Sequence, residues 1–428
     1  MDKKKYAVVG VGSRSGMYLN AVMGDYRDRS ELVGLCDINM TRMKFFAGRA
    51  FENNDHPEVP RYHSSDFDKM IAEKKPDVVV VTTMDRTHDE YICRAMEHGC
   101  DVITEKPMTI DAERCQRIID TVKRTGRSLT VTFNYRYAPR NSKVKELIAS
   151  GEIGDVTSIH FEWLLDTRHG ADYFRRWHRD KLNSGGLMVH KATHHFDLIN
   201  WWMDSAPEKV FAIGRLGFYG RENAEKRGVT RFYSRAYGSE TAANDPFAIH
   251  LEKDEKLEDG YQRDQSVFGY NISIEDNISV TAQYRNKAIM SYSLNAHAPW
   301  EGYRVMFNGT LGRIELNTKE NSYVSGSDDD INLTENRAND NIIKTSIPSI
   351  LIQKHWQTAR EVTYEQAKGG HGGGDTRLLK DIFVGAENDP LNHAAGYEAG
   401  AMSILTGVAA NRSMATGMPV NIDDLVTF

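Results

Sequence analysis

The chain has 428 residues, with 54 basic and 60 acidic side chains and a formal net charge of −6. This acidic balance argues against a nucleic-acid-binding protein, because such a protein needs excess cations to displace counterions from phosphate. Four cysteines are too few for a disulfide framework in a chain of this length. No apolar run reaches the roughly 18 residues of a membrane-spanning helix. We therefore expect a soluble, cytoplasmic protein of two or three domains that binds neither nucleic acid nor membrane.

The first quarter of the chain alternates short apolar runs with amphipathic stretches. This pattern is typical of repeated βα units and a parallel sheet. Helices are expected over residues 89–98 and 111–124, each closed by a glycine. Strands are expected over residues 6–11, 31–36, 77–81, 101–104 and 128–133.

The first predicted strand runs into a glycine-rich turn containing Gly10, Gly12 and Gly16. The pattern G-x-G-x-x-x-G is one residue longer than the commonest dinucleotide-binding fingerprint. Glycine is needed where backbone approaches a pyrophosphate, and the helix that follows presents its N-terminal amides to the same charge. The turn therefore predicts a dinucleotide site, to which Ser13 and Arg14 also belong. A glycine-rich turn without a ligand is the alternative.

Asp37 stands at the end of the second predicted strand, 21 residues beyond Gly16. A carboxylate at this distance can accept hydrogen bonds from the ribose hydroxyls of adenosine and would repel a 2′-phosphate. NAD is therefore favoured over NADP, although Arg14 and Arg42 are cations that would suit NADP.

Lys106 and Pro107 follow the predicted strand over residues 101–104. Ligands of open parallel sheets bind beyond the carboxyl ends of the strands, so Lys106 is expected to project into that crevice. A Lys-Pro turn on the surface, without a functional role, is the alternative.

These motifs resemble the glucose–fructose oxidoreductase / inositol dehydrogenase (Gfo/Idh/MocA) family. The resemblance implies that His88, Glu105, Lys106 and Asn134 also contact the cofactor. It rests on the glycine loop, His88 before a helix, Glu105-Lys106-Pro107, Asn134 with Arg136-Tyr137-x-Pro139, Gly185-Gly186, His194, Asp197, Gly309-x-x-Gly312, Ala410-Asn411-Arg412-Ser413 and Gly417-x-Pro419-Val420.

The resemblance implies an α/β architecture with an N-terminal Rossmann dinucleotide-binding domain, residues 1–133. An α+β domain, residues 134–428, would follow, with a large, mostly antiparallel open sheet that forms the substrate pocket and assembles a homo-oligomer, a dimer or tetramer. Residues 135–148 read as the connecting helix, and residues 215–265 and 318–350 as variable loops or insertions. Closely spaced strand patterns support such a sheet at residues 267–274, 278–285, 288–296, 303–308 and 313–317.

Histidines cluster after Gly185-Gly186. A continuous helix here would place His190, His194 and Asp197 on one face, with His195 on an adjacent face. Structural histidines in a tryptophan-rich core are one interpretation. A metal site is a second, since two histidines and a carboxylate can bind zinc, but no Glu follows the first histidine and we expect no metal. The resemblance gives the third, in which His194 is the catalytic histidine and His190 replaces an Asp found in many members.

Hydride transfer to a nicotinamide needs a group that accepts the hydroxyl proton. A neutral imidazole, with a reference pKa near 6.5, can do so at neutral pH. The positive nicotinamide is expected to lower the pKa of Lys106. The catalytic candidates are thus Lys106, His194 and His190, with His194 and Lys106 ranked first. With His190 and Lys191 the pocket becomes more cationic, and it can then accommodate an acidic substrate group.

A polar and aromatic cluster precedes Gly185. This composition suits a carbohydrate, since sugars are held by aromatic faces and directional polar groups; a solvated arginine-rich loop would look similar. A second glycine-rich turn carries His371 and precedes Asp375, which is expected to cap a helix over residues 376–384. The substrate-binding candidates are Arg168, His169, Tyr173, Arg176, Trp177, His178, His195, Asp197 and His371.

The resemblance implies an NAD-dependent oxidoreductase acting on a secondary hydroxyl or ketone of a sugar, glycoside or cyclitol. A first alternative is an NAD-dependent glycoside hydrolase that works by transient oxidation, elimination, hydration and re-reduction. A second is a non-catalytic, NAD-binding sensor. Keeping both Lys106 and His194 argues against the sensor.

Overall fold

The structure is a computed structural model that describes residues 3–249, 263–324, 349–367, 370–385 and 388–428. Two sheets organise these residues, a parallel sheet followed by a larger mixed one. The helices are α1 Ser15–Asn20, α2 Met40–Arg42, α3 Gly48–Asn53, α4 Phe67–Lys74, α5 His88–Glu97, α6 Ala112–Thr125, α7 Pro139–Ala149, α8 His169–Arg175, α9 Lys181–Ser184, α10 Leu187–His190, α11 Thr193–Met203, α12 Arg221–Lys226, α13 Gly370–Val384 and α14 Tyr397–Thr416. Short 3₁₀ turns cover Ser64–Asp66, Asp85–Thr87, Asn134–Tyr137, Trp177–Arg179, Glu240–Asn244 and Ile422–Asp424, and π-helical turns cover Ala21–Asp25 and Met43–Ala47.

The first sheet is parallel and confirms the predicted Rossmann fold. Its strands are β1 Lys4–Val9, β2 Ser30–Asp37, β3 Arg61–His63, β4 Val78–Val81, β5 Asp101–Thr104 and β6 Leu129–Val131. They lie in the order β3-β2-β1-β4-β5-β6. Four buried valines make up β4, as expected for a central strand with helices on both faces. The short edge strand β3 was not predicted, because three polar or half-buried residues give no periodic signal.

The strand order reverses between β1 and β4, which creates a crevice at the carboxyl ends of these strands. Gly10 follows β1, Asp37 ends β2, and Thr82 follows β4. Glu105 follows β5 and leads into Lys106. Because all the strands are parallel, these residues meet at one edge of the sheet, where such folds bind ligands.

The second sheet has nine strands and confirms the predicted open, mostly antiparallel sheet. The strands are β7 Val156–Asp166, β8 Pro207–Arg215, β9 Asn277–Tyr284, β10 Ile289–Ala298, β11 Glu301–Gly309, β12 Gly312–Asn321, β13 Ser349–Lys354, β14 Arg360–Thr363 and β15 Val420–Asn421. They lie in the order β14-β13-β12-β11-β7-β10-β9-β8-β15. Every described neighbour pair is antiparallel except β7 and β10, which are parallel.

One face of this sheet forms the core of the second domain. In β9 and β10 exposed and buried residues alternate, so alternate side chains point into the core. The buried helices α11 and α14 pack against each other, and α14 packs on β8. Trp163 of β7 and Trp202 of α11 are fully buried there.

The strand predicted over residues 267–274 is wrong. Val267 and Phe268 are buried, but a single bridge between Arg235 and Gln265 is the β-pairing described nearby. Asn271 has a left-handed backbone, with φ of 60°, which breaks an extended chain. The apolar residues of this segment therefore pack in a loop.

The continuous helix expected around the histidines is also wrong, because the chain breaks at Lys191 and Ala192 between α10 and α11. The amide of Ala192 donates to Leu187, five residues back, rather than to Met188. The carbonyl of Met188 instead lies against Gly407 of α14, where any Cβ would collide with it. Close packing of α14 thus coincides with the break.

Other boundaries differ from those predicted. The connecting helix begins only at Pro139, after the turn Asn134–Tyr137, since proline is favoured in the first helical turn. Tyr219 lies in the first segment predicted as a variable loop, yet it is fully buried and stacks on Phe174. Strand β12 extends to Asn321, which lies in the second predicted loop. Of the residues predicted as loops, 250–262 and 325–348 lie outside the described residues. In the described segments, no helix is both long and apolar enough to cross a membrane.

Candidate active site

The glycine loop after β1 has the backbone that a dinucleotide requires. Gly10 has φ of +87°, and a Cβ there would lie 2.5 Å from the backbone nitrogen of Thr83. At Gly12 a Cβ would meet no described atom within 4 Å, so this glycine faces open space. Ser13 is exposed, and its carbonyl accepts a bond from the amide of Gly16 at the start of α1. The loop fits a ligand that lies directly on its backbone.

Asp37 is fixed beside this loop by two backbone amides. Its Oδ2 accepts from the amide of Val11 at 2.5 Å, and its Oδ1 accepts from the amide of Asn39 at 2.8 Å. Arg42 donates through Nε to the carbonyl of Val11 at 3.2 Å. A carboxylate and a guanidinium therefore both stand at the loop.

Arg14 connects the loop to both domains. Its Nε donates to Oε1 of Glu105 at 2.7 Å, and its Nη2 donates to Oδ1 of Asp375 at 3.1 Å. Tyr18 also donates to Oε1 of Glu105, at 2.8 Å. Burial alone would raise the pKa of Asp375, but nearby His371 and Arg14 outweigh it and hold that pKa well below its usual range. Asp375 is thus an anion at the domain boundary.

Asn134 completes this group, which we call the junction cluster: Arg14, Glu105, Asn134, His371 and Asp375. The Nδ2 of Asn134 donates to Oδ1 of Asp375 at 2.6 Å and lies 2.9 Å from Nδ1 of His371. Asp375 was expected to cap a helix. Instead its described side-chain partners are the junction-cluster residues, and α13 starts before it with left-handed residues at His371, Gly372 and Gly373.

His88 braces the loop that carries Lys106. It is buried, with Nδ1 2.8 Å from the carbonyl of Pro107 and Nε2 3.1 Å from the carbonyl of Thr83. His88 therefore links the loops that follow β4 and β5. This makes it a positioning residue for Lys106.

His194 is the second residue of α11 and lies in the interior between the domains. It is 2% exposed, and no described residue bonds to its Nδ1. Its ring lies 4.8 Å from the ring of Tyr135 and 5.6 Å from that of His371. Burial lowers the pKa of His194 well below its usual value, and the Lys106 cation lowers it further. At neutral pH this imidazole is an uncharged base.

His190 bonds to a carboxylate of the other domain. Its Nδ1 contacts Oδ2 of Asp85, which follows β4 of the Rossmann domain. Burial raises the pKa of Asp85 to about 7, although His88 and Lys106 oppose the shift. Asp85 has no local signal in the sequence that marks it as a site residue, because its partner His190 is 105 positions away.

His178 and two aromatic rings enclose His190. The ring of His178 lies edge-on to His190 at 4.3 Å and stacks on Trp177 at 3.6 Å. Tyr173 meets the His190 ring edge-on at 5.5 Å. The Nδ1 of His178 has no described partner, and burial, followed by His190, lowers its pKa well below the usual value. The structure thus brings together four of the predicted substrate and catalytic residues.

His169 forms an ion pair that the sequence analysis did not anticipate. Its Nδ1 lies 2.8 Å from Oε1 of Glu301, and its Nε2 lies 3.1 Å from the hydroxyl of Tyr173. Burial alone would lower the pKa of His169, but the Glu301 carboxylate outweighs it and raises that pKa. Burial likewise opposes the effect of His169 on Glu301, whose pKa is lowered.

The two predicted arginines flank the same helix. Arg176 pairs with Asp172 at 2.5 Å and, against the effect of burial, lowers the pKa of Asp172. The backbone amide of Arg168 donates to Oδ1 of Asp166 at 2.9 Å. Asp172 and Asp166 are further residues that spacing alone did not single out.

His195 and Asp197 lie in the packing of the second domain, where burial, followed by the Lys191 and Lys106 cations, lowers the pKa of His195. His195 is fully buried, stacks on Trp163 at 4.1 Å and contacts the hydroxyl of Tyr292 at 2.7 Å. Asp197 pairs with Arg136. These contacts fix both side chains in the core, and the Nε2 of His195 has no described partner. Across the described ranges, no three His, Cys, Asp or Glu side chains are grouped as metal ligands.

Both halves of the chain match profiles of one family. Residues 4–133 match "Oxidoreductase family, NAD-binding Rossmann fold", and residues 145–422 match "Oxidoreductase family, C-terminal alpha/beta domain". Fold and family together define an NAD-binding oxidoreductase. The chain belongs to the Gfo/Idh/MocA family, as its motifs predicted.

Named relatives agree with this assignment. YteT of Bacillus subtilis, named as an oxidoreductase, is 36% identical over 447 residues, covering 99% of this chain and 98% of that protein. The D-glucoside 3-dehydrogenase of Escherichia coli is 26% identical over 198 residues, 45% of this chain and 52% of the enzyme. The solved aldose-aldose oxidoreductase from Caulobacter crescentus has a TM-score of 0.64 at 17% identity, with coverage of 98% and 100%, and shares the fold.

Proposed function

We propose that the protein is an NAD-dependent dehydrogenase that interconverts a secondary hydroxyl and a ketone on a sugar, glycoside or cyclitol. The observation that carries the proposal is His194. This buried, uncharged imidazole has a nitrogen without a described partner and lies near enough to Lys106 for the lysine to lower its pKa. Alcohol oxidation needs a proton acceptor close to the cofactor, and here a base lies beside a lysine and next to a dinucleotide loop.

The chain's own residues fit the cofactor. The backbone around Gly10 and Gly12 would lie against the pyrophosphate, and Asp37 would accept the ribose hydroxyls. The Asp37 carboxylate would repel a 2′-phosphate, which favours NAD over NADP, with Arg42 as the opposing cation. When bound, NAD supplies the nicotinamide that takes or returns a hydride.

The remaining chemistry is proton transfer. His194 accepts the proton of the substrate hydroxyl, and Lys106 stabilises the developing oxyanion through its positive charge. His190, whose ring the Asp85 carboxylate orients, provides a second proton-transfer group. Tyr173, Trp177 and the His169–Glu301 pair would line the space for the sugar ring.

The relatives support the substrate class. One is named D-glucoside 3-dehydrogenase and another inositol 2-dehydrogenase/D-chiro-inositol 3-dehydrogenase. Both names describe oxidation of a ring hydroxyl, which matches a site built from imidazoles and aromatic faces.

The test is a panel of glycosides and cyclitols incubated with NAD⁺, with NADH followed by absorbance. We expect turnover on at least one ring alcohol. His194→Asn and Lys106→Met should each lower kcat about 100-fold or more, as expected for loss of a proton-transfer group. His98→Asn, an exposed histidine paired with Asp68, serves as the control and should change nothing. An inactive panel, or full activity in His194→Asn, would contradict the proposal.

A redox-neutral glycoside hydrolase is the second candidate. The Asp85–His190 pair favours it, because elimination and hydration need an additional acid and base. In deuterated water this enzyme would release free sugar that carries solvent deuterium while no NADH accumulates. Stoichiometric NADH would identify the dehydrogenase, and turnover of either kind excludes a pure sensor.

We also propose a cytoplasmic homo-oligomer, a dimer or tetramer. The outer face of the second sheet exposes apolar side chains, among them Ile213 at 67% and Ile289 at 53%. All four cysteines are unpaired and buried, which suits a reducing compartment. Light scattering coupled to size-exclusion chromatography tests the oligomer, and a monomer would contradict it.

A further inference from the structure

The break between α10 and α11 turns Lys191 into the interior. Lys191 is 4% exposed, and its Nζ lies 4.9 Å above the ring of Trp163. The Lys191 cation contributes to lowering the pKa values of His194 and Glu301, so its charge lies beside the candidate base and the His169–Glu301 pair. In a continuous helix the Lys191 side chain would point in a different direction.

The Lys191 ammonium lies against the face of Trp163 and has no hydrogen-bond partner among the described residues. Burying a charge is costly unless the group is paired and hydrogen-bonded. Lys145, equally buried at 3%, satisfies this requirement through Asp204 at 2.7 Å and the carbonyl of Trp201. No described residue accepts a hydrogen bond from the ammonium of Lys191. Both oxygens of the nearby Glu301 already lie within 3.0 Å of His169.

The carboxylates near Lys191 form their hydrogen bonds with other groups, and Asp166 accepts from two backbone amides and from Asn321. His169 and Glu301 form one ion pair, and Arg136 and Asp197 form another. An oxidised nicotinamide would add a further positive charge next to His194. The site therefore favours a ligand with a negative charge. A phosphate carries nearly two charges, whereas a carboxylate carries the single charge that one ammonium balances.

We propose that Lys191 binds the carboxylate of an acidic sugar, so that the substrate is a uronic acid or its glycoside. This inference rests on the proposed function, since it names the substrate class of the same site. The carboxylate would pair with the Lys191 ammonium on the side away from the Trp163 ring, while His194 acts on a ring hydroxyl. Charge-assisted hydrogen bonds of this kind are shorter and stronger than neutral ones.

Matched sugar pairs test the inference. The probes are methyl β-D-glucuronide against methyl β-D-glucoside, and methyl α-D-galacturonide against methyl α-D-galactoside. Binding is measured by calorimetry with NADH present, and turnover with NAD⁺. We expect the acid of at least one pair to bind about tenfold or more tightly than its neutral partner, the size of one charge-assisted bond.

Variants separate the charge from the fold. Lys191→Met should weaken binding of the acid about tenfold while the neutral sugar changes less than about threefold. Lys191→Arg, which keeps the charge, should retain most of the acid preference. Lys319→Met is the matched control, because Lys319 also lies over a tryptophan, Trp300 at 5.5 Å, but is exposed. It should bind both sugars as the unaltered protein does.

The outcomes are distinguishable. The inference is overturned if neither acid binds, if acid and neutral sugars bind equally, or if Lys191→Met weakens both alike. Acids that bind through Lys191 but are never oxidised would support the inference and defeat the proposed dehydrogenase. Neutral sugars that are oxidised without any preference for the acid would support the proposed dehydrogenase and overturn the inference.

Discussion

The buried carboxylate of Asp197 holds the guanidinium of Arg136 at two points, 2.8 Å from Nε and 2.5 Å from Nη2. Arg136 belongs to the turn that joins the domains, and Asp197 lies one helical turn beyond His194 in α11. The pair therefore fixes α11 against the domain junction. In doing so it positions His194 without contacting the reacting atoms.

Asp197→Ala should destabilise the protein by about 3–5 kcal/mol, because it leaves the buried Arg136 charge without its carboxylate partner. The control is Asp423→Ala, which breaks an exposed pair with Arg285 and should cost about 1 kcal/mol or less. Urea unfolding measures both. Similar losses of unfolding free energy in the two variants would show that the buried pair stabilises the protein no more than the exposed pair does.

Glycines of the cofactor loop should separate stability from binding. Gly12→Ala should leave the melting temperature unchanged but weaken NAD⁺ binding about tenfold or more, because its Cβ enters space that is otherwise open. Gly10→Ala should lower the free energy of unfolding by about 2–4 kcal/mol, because the strain of a positive φ adds to the collision of the new Cβ with the backbone.

Gly99→Ala is the matched control for Gly10. Gly99 has nearly the same φ, +86°, but its Cβ would meet nothing within 4 Å. Gly99→Ala should lower the free energy of unfolding by the backbone strain alone, about 1–2 kcal/mol. Equal effects at both positions would mean that contact with Thr83 is unimportant.

Asp85→Asn should impair proton transfer while the fold persists. The amide is nearly isosteric but cannot stabilise a protonated His190 as a carboxylate does, so kcat should fall about 10–100-fold. KM and the affinity for NAD⁺ should change little, which a merely structural defect would not allow. Unaltered kcat with an unchanged pH profile would remove His190 from the mechanism.

Buried neutral histidines should make the protein sensitive to acid. Burial lowers the pKa of His195 well below its usual value. The unfolded chain therefore binds a proton near pH 6.5 that the folded chain does not, and stability falls as the pH drops below that value. Replacing His195 with Gln should reduce the slope of unfolding free energy against pH by about 1.4 kcal/mol per unit between pH 6 and 5. Urea titrations at several pH values measure this slope, and an unchanged slope would mean that His195 is charged in the folded state.

Local patterns were enough to predict the first domain. The valines of β4, the glycines after β1 and the acidic end of β2 are signals carried within a few residues. Parallel strands then bring Asp37 and Lys106 to one edge without any further information. The same holds for four of the nine strands of the second sheet, where hairpin spacing locates β9 to β12.

Long-range partners could not be predicted in this way. Arg14 and Asp375 are 361 positions apart, and His169 and Glu301 are 132 apart. The break at Lys191 coincides with the close approach of Gly407 of α14 to the carbonyl of Met188, a contact between residues more than 200 positions apart. These contacts decide which side chains of the candidate site lie together, and sequence spacing does not reveal them.

The parallel pairing of β7 with β10 has a consequence for how the protein is made. Parallel neighbours need a long crossover, and here that crossover, residues 167–288, contains the histidine-bearing helices. A nascent chain can complete its Rossmann domain early, yet Tyr292, which His195 of α11 contacts, becomes available only when β10 has left the ribosome. The entropic cost of closing so large a loop makes this a slow step. Catalytic competence is therefore acquired late in biosynthesis, well after the cofactor domain is able to fold.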